Sequence, residues 1–312
     1  MQRITSNMMN SQLLLNLNRN ALQMNNTQNQ MSTGRKINKP SDDPVGITYS
    51  LRYRSQLASN EQYTKNVDSA VSWMDFNDTV LSQTNDVLQR LRELVVKAAT
   101  GSNPQSALDS ISQEVAQLKE QLVDISNSEL NGKYIFNGEK FHTAPYTATV
   151  KPDGTLMDPS EISTDSGDVI YTVGDSVKLS INLNGNDVFG EADDATTAQT
   201  SDNIFSIINR LITNLGPNGD HSKISEELGK IDTRMDKLLT IRSEVGAKTN
   251  RIELMQSRLS DLNINLTTLQ SKTEDADYAK LILESKVQEN IYNASLSAGA
   301  KIIQPSLVDF LR

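Results

Sequence analysis

The side chains that could do acid–base or metal chemistry fall into two acidic clusters, Asp42–Asp43 and Glu191, Asp193 and Asp194, and two histidines, His142 and His221. Paired carboxylates can share a proton or hold a hard cation, but only where further ligands or a base converge on them. Asp42 and Asp43 follow a serine, precede a proline and have no histidine nearby, so turn formation and helix capping are their expected roles. The Glu191 cluster reads as a solvated linker. His142 stands beside Thr143 and Ala144, and His221 lies in a Gly/Asn/Asp loop, so both read as surface residues. No nucleophile has a base at motif spacing, and phosphate-loop glycines and calcium-loop spacing are absent. With no cysteine, a thiolate metal site, a cysteine nucleophile and disulfides drop out together. Arg52-Tyr53-Arg54 could form a binding patch but reads as a solvated helix face. The expectation is therefore no enzyme, no catalytic residue, no metal and no cofactor.

Composition points the same way. The chain has 312 residues with 39 acidic and 30 basic side chains, a formal net charge of −9, and no basic block, which argues against nucleic acid or an anionic membrane as partner. No apolar run approaches the ~20 residues that a membrane-spanning helix needs. The first twenty residues lack the apolar block and cleavage site of a secretory signal. Aromatic residues are only 5%, so apolar surface is spread along helices rather than gathered in one globule.

Helical periodicity dominates. At the start, Leu14, Leu17, Ala21, Met24 and Met31 form one stripe, with Gln28 in its gap. A second stripe, Ile4, Met8, Leu15 and Leu22, is interrupted by Ser11, Asn18 and Asn25. At the far end Leu283, Val287, Ile291, Ala294, Ala298 and Ile302 form another face, with Ser295, Gly299 and Ala300 crowding its latter half. These helices are too apolar on several sides to stand alone in water, so the two termini are expected to pair and to offer their remaining stripes to other subunits.

Between them the first helix should end at Gly34, and a turn-rich loop should lead to a helix capped by Asp43 with Pro44 at its first position. Helices are predicted over 45–59, 61–99 and from 108, then from 202 to 215, and a very long one from Ile224 through Leu269. Trp73 and Phe76 read as core anchors. From Asn131 the period changes, and strands are predicted within 131–138 and at 146–151, 169–173 and 177–183. The fold class is mainly α: a long antiparallel helical bundle or coiled-coil rod formed by both chain ends, with a small β-rich inserted domain. The expected division is a terminal assembly domain (1–36 with 273–312), a rod domain (37–140 with 193–272) and the insertion (141–192).

Five segments carry a family resemblance: MQRITSNMM at 1–9, GRKINKPSDDPVG at 34–46, KYIFNG at 133–138, SKTEDAD at 271–277 and QPSLVDFLR at 304–312. In this order they resemble the hook-associated protein 3 group of the flagellin family, the bacterial hook–filament junction proteins; filament flagellin is the nearest competitor. The resemblance implies a structural, non-enzymatic flagellar component between hook-associated protein 1 and flagellin, polymerising as a ring of copies. It implies assembly through both terminal helices, to which Leu307, Phe310 and Leu311 would also contribute, and transient contact with the filament cap protein. It implies a joint between terminal and rod domains at Arg35, Asn38, Pro40, Ser41, Asp42, Asp43 and Pro44. It further implies a cytoplasmic export chaperone on the C-terminal region, export through the flagellar channel without a cleaved signal, and an extracellular location. A different class, an adhesin-like binding protein acting through the insertion, stays open.

Overall fold

The computed structural model describes residues 6–100, 103–147, 151, 156–194, 199–217 and 219–303, without the side chains of residues 6, 7, 221 and 301–303. Among them the fold is mainly α. It has seven helices, α1 (Ser6–Thr33), α2 (Pro44–Ala99), α3 (Gln105–Ser126), α4 (Gly185–Phe189), α5 (Ile204–Leu215), α6 (Ile224–Glu274) and α7 (Tyr278–Ile303). Two antiparallel hairpins complete it: β1 (Glu129–Leu130) with β2 (Lys133–Tyr134), and β3 (Ile170–Gly174) with β4 (Val177–Ser180). By contacts the chain divides into two compact units, residues 61–260, and residues 1–60 with 261–312.

Unit 61–260 holds the apolar core. On α3 Leu108, Ile111, Val115, Leu118, Leu122 and Ile125 recur at helical spacing and are buried, as are Ile224, Ile231, Leu238, Val245, Ile252 and Leu259 of α6 at a strict seven-residue interval. Such an interval keeps one seam facing a partner helix along its length. That partner is α2, which runs antiparallel: Arg92 meets Asp232 at 2.6 Å, Arg242 pairs bidentately with Asp78 at 2.7 and 3.1 Å, and Gln256 donates to Asp68 at 2.8 Å. Trp73 is buried and Phe76 packs against the same core.

The strand-containing region is fixed to these helices by aromatic packing. Phe189 sits between Phe136 and Phe205, with ring centroids 5.1 and 5.7 Å away, and Tyr146 lies 5.2 Å from Phe205. A polar lock adds to it. Lys119 of α3 reaches Asp158 at 2.6 Å and Asn209 of α5 at 2.8 Å, and Asn209 closes the triangle onto Asp158 at 3.0 Å.

Several expectations are corrected. Residues 45–59 and 61–99 form one helix, α2, because nothing near Asn60 carries a proline or glycine that would break it. In KYIFNG only Lys133 and Tyr134 pair as strand; Ile135 and Phe136 leave the ladder to enter the core. Of the strand predicted at 146–151, residues 148–150 lie outside the described residues, and Tyr146 is in a turn. Asp193 is no solvated linker residue: it is buried and accepts from Ser206.

Candidate functional site

The unit of residues 1–60 and 261–312 carries the terminal helices. α1 ends where Gly34 turns left-handed at φ +70°, and Tyr278, opening α7, donates from its hydroxyl to the Met31 carbonyl at 2.9 Å. At the other end of the pair Gly299 lies against Leu13, so close that an added Cβ would stand 2.7 Å from Leu13 Cδ2. The two helices are therefore antiparallel.

The faces they turn to each other are not the ones the stripes suggest. On α1 the half-buried side is Leu13, Leu17, Ala21, Met24 and Met31, with Thr27 buried among them, so most of the first stripe faces α7 while Leu14 is exposed. On α7 the inward side is Leu281, Glu284, Ser285, Gln288, Tyr292, Ser295 and Gly299. The predicted stripe of α7 points outward instead: Leu283, Val287, Ile291, Ala294 and Ala298 are all exposed, Leu283 at 66%. Met8, Leu15 and Leu22 on α1 are exposed as well. Ile4, Leu307, Phe310 and Leu311 lie outside the described residues, as does the Ile302 side chain.

The loop between α1 and α2 is built by its own polar side chains. Asp42 Oδ2 accepts from the amides of Asn38 and Lys39 at 3.1 and 2.8 Å, closing a turn. Asp43 Oδ1 accepts from Val45 and Gly46 at 3.1 and 2.9 Å, capping α2 with Pro44 at its first position. Asn38 donates to the Arg35 carbonyl at 3.0 Å. Arg35, Asn38, Pro40, Ser41, Asp42 and Pro44 are exposed and Asp43 is half-buried, while Ile37 is buried beneath them.

This loop is stapled to the joint between α6 and α7. Lys36 N donates to Glu274 O at 2.6 Å and Ala276 N to Gly34 O at 3.1 Å, a two-bond antiparallel ladder. The Glu274 side chain, only 2% exposed, is the centre of the joint. Its carboxylate accepts from Arg54 Nε at 2.9 Å and Nη2 at 2.5 Å and from the Ser50 hydroxyl, with Arg35 Nε 3.6 Å away. Burial alone would push its pKa up, but the hydrogen bonds from Arg54 and Ser50 and the Arg54 charge outweigh it and hold the carboxyl below its ordinary value. Arg54 is thus a paired joint residue, correcting its reading as a solvated face. Local sequence gives no signal for this pairing, because Arg54 and Glu274 are 220 positions apart.

His142 is exposed, its ring 4.4 Å from that of Phe141, and no group of three or more His, Asp or Glu side chains among the described residues could hold a metal ion.

Comparison with known proteins bears on this arrangement. The family model described as the bacterial flagellin N-terminal helical region matches residues 4–140, and the one described as the C-terminal helical region matches residues 228–311. Flagellar hook-associated protein 3 of Escherichia coli K12 is 27% identical over 281 residues, 86% of this chain and 87% of that protein. A flagellin of Bacillus subtilis is 28% identical, over 85% of this chain and 86% of that protein. Among solved structures, the flagellar junction protein FlgL from Legionella pneumophila superposes with a TM-score of 0.56 at 17% identity, covering 74% of this chain and all of that one.

Proposed function

Because this chain belongs to the bacterial flagellin family, we propose that it is a structural part of the flagellum that joins hook-associated protein 1 to the flagellin filament. It polymerises into a ring of copies through its terminal helices, residues 1–36 and 273–312, while residues 37–140 with 193–272 form the rod and 141–192 an outer insertion. The name of the Escherichia coli relative, flagellar hook-associated protein 3, supports a place at the hook. The observation that carries assembly is the outward stripe of α7, Leu283, Val287 and Ile291, with Met8, Leu14 and Leu22 on α1. Burying one such side chain contributes about 1.5–3 kcal/mol, so neighbouring subunits supply what the helix pair leaves unused. The residues at 35–44 form the joint between terminal and rod parts. Hook-associated protein 1, flagellin, the filament cap protein in passing, and a cytoplasmic export chaperone on the C-terminal region are its partners. The subunit leaves the cell through the flagellar export channel without signal cleavage and works outside as a scaffold, not an enzyme.

The test is a strain whose only copy lacks residues 306–312. A junction part predicts cells that build hooks, release unpolymerised flagellin into the medium and do not swim. The second reading, a filament flagellin, rests on the comparable identity to the Bacillus subtilis protein. It predicts that no other flagellin is found in that medium. Normal filaments would overturn both.

A further inference from the structure

Three Asn-Gly pairs lie among the described residues, at 131–132, 137–138 and 184–185. In such a pair the glycine amide nitrogen can attack the asparagine side-chain carbonyl, because no Cβ on the glycine hinders the approach. The fold treats the three very differently. Asn131 and Gly132 form the tip of the β1–β2 hairpin, with φ of +54° and +74°, the signature of a two-residue turn with both central residues left-handed. Both residues are exposed and nothing stands within 4 Å of a Cβ built on Gly132; among the described residues neither the Asn131 side-chain amide nor the Gly132 N–H is engaged in a hydrogen bond.

The other two pairs are held. The Asn137 side chain is buried and donates to Lys140 O at 3.2 Å and to Thr143 O and Oγ1 at 3.0 and 3.1 Å, while its Oδ1 accepts from the Asp165 amide at 3.2 Å. In the third pair the attacking nitrogen is taken, since Gly185 N donates to Phe136 O at 3.0 Å.

We propose that Asn131 is a site of spontaneous deamidation in the folded protein, with water as the only co-reactant. The Gly132 nitrogen loses its proton to solvent base and bonds to Asn131 Cγ. The Cγ–Nδ2 bond then breaks, and the side-chain nitrogen leaves as ammonia, giving a five-membered succinimide. Water opens that ring at either carbonyl, to aspartate or to isoaspartate. No oxidant or reductant is involved. Either product adds a negative charge to the tip. Isoaspartate also lengthens the backbone by one atom, in a loop whose two-residue length sets the Leu130–Lys133 pairing.

The experiment incubates the purified full-length protein at mildly alkaline pH, folded and in denaturant. Each Asn-Gly peptide is followed by mass spectrometry, with isoaspartate methyltransferase labelling to separate the products. In the folded protein Asn131 converts on the order of tenfold or more faster than Asn137 and Asn184, which must first break their hydrogen bonds. In denaturant the three rates converge. Equal rates in the folded protein, or an ordering that persists in denaturant, would overturn the proposal.

Discussion

Glu274 shows how much one side chain can hold. Its carboxylate joins Ser50 and Arg54 of α2 while its own backbone carbonyl anchors the loop at Lys36. Glu274→Gln keeps the shape and removes the charge. Breaking a fully buried ion pair costs about 3–5 kcal/mol, and the expected loss here is lower, about 1–2 kcal/mol, since Arg54 can rehydrate. Arg54 keeps 38% of its side chain exposed. Amide hydrogen exchange at residues 34–36 and 274–276 reads that loss directly, and unchanged protection would remove Glu274 from the centre of the joint. The same carboxylate sets an acid sensitivity. Because its folded-state pKa lies below the ordinary value, its contribution is complete above that value and disappears as the pH falls through the lower folded one. Protection at the joint, taken relative to the unfolded-chain exchange rate at each pH, should therefore fall in wild type below about pH 4, the usual carboxylate range, and show no such step in Glu274→Gln.

At the scale of elements, α7 offers its better apolar face to solvent and a polar one to α1. Gln288 Oε1 on α7 and Asn10 Oδ1 on α1 are buried with no hydrogen-bond partner among the described residues. Exposed substitutions usually change stability by less than about 0.5 kcal/mol. Leu283→Asp combined with Ile291→Asp should accordingly leave the circular dichroism and melting of the monomer unchanged while abolishing filament attachment in cells. A monomer that unfolds on this change would mean that the stripe serves the subunit itself, and the assembly reading of α7 would fail.

At the scale of the whole molecule the two units differ in what holds them. The apolar core runs from Val67 to Leu259, entirely inside residues 61–260, whereas the other unit buries only Ile37, Leu266 and Leu281 among described hydrophobic residues. Three buried side chains cannot offset the ~1–2 kcal/mol of backbone entropy lost per ordered residue. A fragment of residues 61–260 is expected to unfold in one cooperative transition at nearly the wild-type midpoint, followed by Trp73 fluorescence; a molten fragment would show that the core depends on the ends. Much of this was legible in the sequence. The helical period from Leu108 picked out the buried side of α3, while the long run predicted from Ile224 through Leu269 also took in Leu262 and Leu269, which are exposed. Gly34 marked a helix end, and Asp43 and Pro44 a helix start, because helical period, capping and left-handed turns are local properties written within a few residues. The tertiary structure alone decided that Arg54 is bound to Glu274 and that α7 shows α1 its polar side. An amphipathic helix announces that it has a face to bury but not which neighbour will cover it. That choice is made between residues more than two hundred positions apart, where no local spacing records the contact.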